Sequence, residues 1–197
     1  MFVTYSMEAV LTRKEQIEKT ATALFKRKGY TATSMRDLAN ALGIEAASIY
    51  SHIRSKEEIL QRVCFKMADE FFDALDAAES MAGPATVRLQ RAIAAHVQVL
   101  TQNTEASAVF LHEWRHLSEP LHSNFLALRD KYEARFREII REGIQRGEFS
   151  VPDEKFAVLT ILSALNWIHT WYKPEGKMTP TEIAENLSEM LLNGLRN

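Results

Sequence analysis

At 197 residues, 46% hydrophobic and 25% charged, the chain has room for one large domain or a small one joined to a larger one, with ample material for a core. A formal net charge of −2 excludes binding to nucleic acid through overall charge. The single cysteine, Cys64, excludes an intramolecular disulfide framework and fits a reducing compartment.

The charge is uneven: residues 1–62 hold ten Lys and Arg against seven Asp and Glu, and the remainder holds fourteen against nineteen. A mildly basic head on an acidic body suits a nucleic-acid-binding module attached to a separate sensing body. No apolar run approaches the ~18 residues of a membrane span. The N-terminal MFVTYSMEAVLTRK has no basic lead and too short an apolar stretch for a signal peptide. It reads as a frayed arm ahead of the first helix, in a cytoplasmic protein without a membrane partner.

Thr12 and Glu15 form a capping box that opens a helix with Ile17, Ala21, Leu24 and Phe25 on one face. Gly29 ends it, after Lys26, Arg27 and Lys28 in the last turn, where cations suit the helix dipole. Ser34 and Asp37 start a second helix with Met35, Leu38, Ala39 and Leu42 as its apolar stripe, and Gly43 sits at its left-handed end. A three-residue turn leads to Ala46–Ile53, which is too short to be stable alone and must pack on its neighbours. Residues 33–52 therefore read as a helix-turn-helix inside a DNA-binding domain over 10–56.

On that reading Thr33, Ser34 and Arg36 grip phosphates from the start of the second helix, and Tyr50, His52 and Lys56 do so from beyond the third. Glu45, Ala46, Ala47, Ser48 and Ser51 face base edges; they are mostly small, so the backbone can approach a groove closely. Ser55 and Glu58 form a third capping box and begin a long helix through Ile59, Val63, Met67 and Phe71, with Cys64 on its apolar side as a buried thiol.

Residues 57–197 make a second, helical domain for effector binding and dimerisation. Its punctuation falls at Gly83-Pro84, Ser118–Pro120, Gly147–Pro152, Pro174–Gly176 and Thr179-Pro180. Helices are predicted near 85–102, 104–117, 120–146, 153–172 and 180–195, the last opened by a Thr179–Glu182 capping box. The fold is all-α, with about nine helices. The last two carry Ala157, Ile161, Ala164, Leu165 and Ile168, then Ile183, Leu187, Met190 and Leu191. These broad apolar faces fit intramolecular core or pairing with a second copy, and pairing is favoured because a lone helix-turn-helix buries too little contact for specific affinity.

His112-Glu113-Trp114-Arg115-His116 matches H-E-x-x-H, the spacing for zinc and a general base in a hydrolase. No third ligand follows at a characteristic spacing and Arg115 would repel a metal, so neither a catalytic residue nor a metal or cofactor site is assigned. The region reads better as a ligand site: Phe110, Glu113, Trp114 and Leu117 on one helix, and Asn166, Trp167, His169, Thr170 and Trp171 on the penultimate one, supply aromatic walls with a few polar groups.

The segment Arg13–Cys64 resembles the DNA-binding domain of TetR/AcrR transcriptional repressors through Ala23-Leu24-Phe25, Gly29-Tyr30, Thr33-Ser34, Leu38-Ala39, Gly43, Ser48-Ile49-Tyr50, His52 and Ser55–Glu58. It departs from the family pattern at Glu45, where Ser or Thr usually caps the recognition helix, and at Ala47 and Ile53, which replace Gly and Phe. Glu45 can cap through its carboxylate or accept from a cytosine amino group. The resemblance implies a non-enzymatic repressor that binds a palindromic operator as a homodimer and is released by a small effector.

FLHEWRHLSEP and ALNWIHTWYKPEGKMTPTEIAENL further resemble regulators of fatty-acid and aromatic-acid catabolism, which sense acyl-coenzyme A thioesters. That implies an apolar tunnel for the acyl group, with Arg115, His116, Arg129, Lys131, Lys173 and Lys177 as candidates for the coenzyme phosphates. The competing effector is a hydrophobic cation held by aromatic rings, Glu113 and Glu142.

Overall fold

The structure, a computed structural model, describes residues 11–195, and these form helices with no strand among them. In chain order they are α1 (Arg13–Lys28), α2 (Met35–Leu42), α3 (Ala46–Tyr50), α4 (Lys56–Glu79), α5 (Ala85–Gln102), α6 (Thr104–His112), a 3-10 turn (Trp114–His116), α7 (Leu121–Gln145), α8 (Glu154–Asn166), α9 (Ile168–Trp171) and α10 (Pro180–Asn193). The arm expected before the first helix lies largely outside the described residues. Two expected helices are interrupted: the one over 104–117 stops at His112, and the one over 153–172 breaks at Trp167 into α8 and the single turn α9. Counted as one broken element, α8 and α9 leave the expected nine.

Local chemistry accounts for most boundaries. The Thr12–Glu15, Ser34–Asp37 and Thr179–Glu182 boxes close reciprocally, each satisfying two N–H groups that a helix start would otherwise leave unpaired. Gly43 takes the left-handed conformation at φ 65° that ends α2. The box at Ser55 is only half formed: its hydroxyl accepts from Glu58 N–H at 3.1 Å, while the Glu58 carboxylate turns to the Arg54 N–H at 2.8 Å. Glu45 stands at the N-cap of α3 without a side-chain capping bond, so the capping expected of its carboxylate is not realised. What holds that five-residue helix is burial of Ile49 and Ile53.

Helix α4 is the spine. Its Ile59, Leu60, Val63 and Cys64 close the core under α1–α3, and its Met67, Phe71 and Leu75 continue the same cluster into the body. Cys64 is fully buried and its thiol is pushed up to about 12 by burial, as expected of an inert core sulfur. At the far end Arg88 bridges Glu79 and Glu142, and Arg135 pairs with Asp76 and Glu79, knitting α4, α5 and α7. Helix α5 starts after Pro84 without a local cap; the Glu148 carboxylate crosses from the α7–α8 connection to accept the N–H groups of Ala85 and Thr86 at 3.0 and 2.9 Å.

Candidate nucleic-acid interface and ligand cavity

The helix-turn-helix face exposes Ser34, Arg36, Glu45, Ala47, Ser48, Tyr50, Ser51 and His52. Tyr50, at 54% exposure, is the most prominent apolar surface there. Ala46 is half-buried and packs on the core. Several side chains expected to reach phosphate are committed elsewhere. Thr33 is buried and its hydroxyl donates to the Gly29 carbonyl at 2.8 Å. The Ser34 hydroxyl is used in the capping box, and Ser51 Oγ donates to the Ser48 carbonyl.

Lys56 is the clearest correction. Its ammonium donates to the carbonyls of Tyr30 and Thr33, each at 2.7 Å, and lies 4.2 Å from the centre of the Tyr30 ring. Instead of gripping phosphate it ties the start of α4 to the α1–α2 turn. Arg54 is exposed between α3 and α4 and lies outside any ion pair among the described residues.

A cavity of about 330 Å³ opens into the body between α4, α5, α6, α7 and α8 and the 3-10 turn. Its walls are Phe71, Phe72, Phe110, Trp114, Phe125 and Tyr132; Arg129, Asp130 and Glu133 of α7 also line it, and His96, Ser163 and Asn166 add uncharged polar atoms. Of the nine expected effector residues it gathers Phe110, Trp114 and Asn166. The other six do not line it. Leu117 is core, Trp167 and Trp171 are exposed, and Thr170 donates to the Trp167 carbonyl. His169 meets His112, and the Glu113 carboxylate turns toward the α1 end, 3.5 Å from His116 Nε2. The cause is common to all six: they lie at or beyond the points where α6 and α8 end, so extrapolating the helical period assigned them the wrong side.

The charged candidates sort the same way. Arg129 lies 4.8 Å over the Trp114 ring. Arg115 sits farther out against the same ring, while Lys131, Lys173 and Lys177 are exposed and outside the cavity. Glu142 is occupied by Arg88 and Arg146. His96, by contrast, was not anticipated, although a lone histidine among Leu89, Ala92, Ile93, Val97 and Leu100 on the buried face of α5 was a legible signal.

The H-E-x-x-H spacing has no continuous helix under it. His112 ends α6 with its Nε2 2.6 Å from Nε2 of His169, while His116 stacks on Tyr30 with ring centroids 5.4 Å apart. The two imidazoles of the motif face different neighbours and cannot share a metal as the pattern requires.

A model of bacterial regulatory proteins of the tetR family matches residues 17–63, and one of the tetracyclin repressor-like C-terminal domain matches residues 82–195. The chain belongs to the TetR family. It is a DNA-binding transcriptional regulator, not an enzyme. It is 35% identical to the TetR family transcriptional regulator PfmR from Thermus thermophilus, over 92% of this chain and 99% of that one, with a TM-score of 0.81. It is 27% identical to AibR, solved in complex with isovaleryl coenzyme A and operator DNA, over 92% and 98% of the chains, with a TM-score of 0.81. The HTH-type transcriptional repressor KstR2 of Mycobacterium tuberculosis is 25% identical over 94% of both chains.

In this TetR-family chain the 3-10 turn joins cavity to head. Trp114 lines the cavity and stacks on Phe125 at 5.8 Å; two residues on, His116 stacks on Tyr30, which packs edge-on against Phe25 of α1. Just beyond, Ser118 donates its N–H and its hydroxyl to the Glu57 carboxylate in the first turn of α4, which holds that carboxyl below its usual range. The segment 114–118 thus touches the cavity at one end and the frame of the helix-turn-helix at the other.

A hydrogen-bonded chain also enters the cavity from the surface. His112 Nε2 meets His169 Nε2; His169 Nδ1 meets the Asn166 carbonyl, freed because α8 stops there. The Asn166 side chain then contacts His96 Nε2 at 3.2 Å, and His96 Nδ1 contacts the Tyr132 hydroxyl at 3.1 Å. Burial lowers the His96 pKa to about 4, so the imidazole is neutral.

Proposed function

We propose that this TetR-family protein is a homodimeric repressor, working in the cytoplasm, whose hold on a palindromic operator is released when an acyl-coenzyme A thioester fills the cavity. The observation that carries the effector class is the cavity's size and lining. At about 30 Å³ per water-sized group, about 330 Å³ accepts roughly a dozen non-hydrogen atoms of an apolar acyl group but not the coenzyme. Arg129, exposed and in contact with Trp114, is suited to a phosphate outside. The isovaleryl coenzyme A complex of AibR supports the same class.

The dimer reading rests on the exposed apolar side chains of α8 and α10, of which Met190 is among those expected. Ile161, Leu165, Ile168 and Ile183 are buried within the protomer. Phe156 at 73% exposure on α8, Trp167 at 65% just after it and Met190 at 73% on α10 are apolar side chains open to a partner. Effector binding would act through Trp114 and the 3-10 turn on α4, altering the spacing of two recognition helices that must match half-sites ~34 Å apart.

Thermal-shift and operator-binding assays with isovaleryl-, octanoyl- and phenylacetyl-coenzyme A, against the free acids, test this. A shift of several degrees and loss of operator binding with a thioester alone is the expected result. A response only to lipophilic cations would favour the second reading, for which Asp130 beside the aromatic rings provides the chemistry.

A further inference from the structure

The polar corner of the cavity carries more information than its apolar walls. His96, Tyr132 and Asn166 come from three different helices, α5, α7 and α8, and all three line the cavity. Two hydrogen bonds link them, and each consumes one proton. With His96 neutral, the trio holds four polar hydrogens: one on the imidazole, one on the phenol and two on the amide. Two remain after the links are made.

The atoms in contact set the direction of the proton chain: Nε2 faces the Asn166 Oδ1 atom, so Nε2–H donates to it and Nδ1 accepts from the Tyr132 hydroxyl. Both amide hydrogens of Asn166 are then left over. The Asn166 Nδ2 atom has no hydrogen-bond partner among the described residues. The His169–Asn166 carbonyl contact and the end of α8 hold this residue in place.

We infer that the Asn166–His96–Tyr132 corner is a specificity element that accepts an oxygen on the far part of the effector, so that the preferred acyl group is a compact ring or chain bearing a ketone. The assignment rests on the acyl-thioester reading only for the handle of the ligand, not for the group inside the cavity. A saturated acyl group would fill the walls but leave the donors unanswered, and a surplus donor in an aromatic enclosure penalises that state. A ketone carries acceptor lone pairs and no donor, the complement of what the corner offers.

The test is a matched pair differing by one carbonyl: cyclohexylacetyl- and (4-oxocyclohexyl)acetyl-coenzyme A, together with both free acids, titrated calorimetrically into the full chain. The wild-type protein should bind the oxo compound about tenfold more tightly than its saturated partner. Asn166→Asp retains an acceptor for His96 but replaces the amide hydrogens with a carboxylate, and should abolish or reverse that ratio. Equal or weaker binding of the oxo compound to the wild-type protein overturns the inference without need of the variant. A ratio that persists in Asn166→Asp overturns it as well. An oxo preference seen only with the free acids would sustain the corner while discarding the coenzyme; silence from all four ligands would discard both.

Discussion

Trp114 and His116 stand two residues apart on one 3-10 turn and face different compartments: the indole lines the ligand cavity and stacks on Phe125 at 5.8 Å, and the imidazole stacks on Tyr30 at 5.4 Å. A helix would have placed residues two apart roughly opposite each other on one cylinder. Here the turn is also a short tie between two packed regions, because Ser118 fastens its far side to Glu57 of α4.

If this turn carries the signal, Tyr30→Leu should separate binding from response. Effector affinity, measured by calorimetry, should stay within about twofold, while the factor by which effector weakens operator binding drops at least about fivefold, the lower end of ordinary coupling energies. An unchanged factor would place the coupling elsewhere along α4.

Lys56 and Arg36 should behave oppositely in salt titrations. Lys56 is engaged with the Tyr30 and Thr33 carbonyls, whereas Arg36 is exposed on α2. Arg36→Ala should lower the slope of log K against log salt by roughly one unit, as removal of a phosphate contact does. Lys56→Met should leave the slope near its wild-type value and instead destabilise the fold by about 1–3 kcal/mol, since two buried-side carbonyls lose their donor.

Acid should weaken the body before it titrates the capping carboxylates. His96 is buried neutral with its pKa lowered from 6.5 to about 4 by burial. Between those values the unfolded chain takes up a proton that the folded chain does not, so the stabilisation is complete above about 6.5 and is lost as pH falls toward 4. His96→Gln should flatten the dependence of Tm on pH within that window, leaving the steeper loss below it, where Asp37 and the other cap carboxylates become protonated. A slope unchanged by His96→Gln would sink this assignment.

Gly143 is required by space and not by backbone angle. A Cβ there would lie 2.2 Å from Phe149 Cδ2 and 3.0 Å from the Ala85 Cβ, where α7 crosses the start of α5. Gly143→Ala should cost about 1–3 kcal/mol by overpacking, read as a lower midpoint in urea with the slope unchanged. Gly147→Ala meets nothing within 4 Å but sits at φ 72°, so its penalty is conformational.

Much of the architecture was readable from residues a few positions apart. Thr12 with Glu15, Ser34 with Asp37 and Thr179 with Glu182 each announce a helix start because both partners of the bond lie within one turn. Gly43 marks the end of α2 for the same local reason, and the recognition-helix residues could be placed on one exposed face. The effector residues were less legible. Phe110, Trp114 and Asn166 line the cavity, whereas Trp167, His169 and Trp171 follow the end of α8 at Asn166, where the helical period no longer predicts a side.

Helix class, helix number and the helix-turn-helix follow from interactions that close within four residues, and those are encoded in order along the chain. The jobs of Lys56, Glu148 and His96 depend on carbonyls, N–H groups and side chains that lie 26, 63 and 70 positions away. No periodicity carries such distances. Whether an ammonium reaches solvent or a buried carbonyl, and whether an imidazole is core filling or the polar corner of a cavity, was decided when α4, α5, α7 and α8 packed against one another and excluded water from the groups between them.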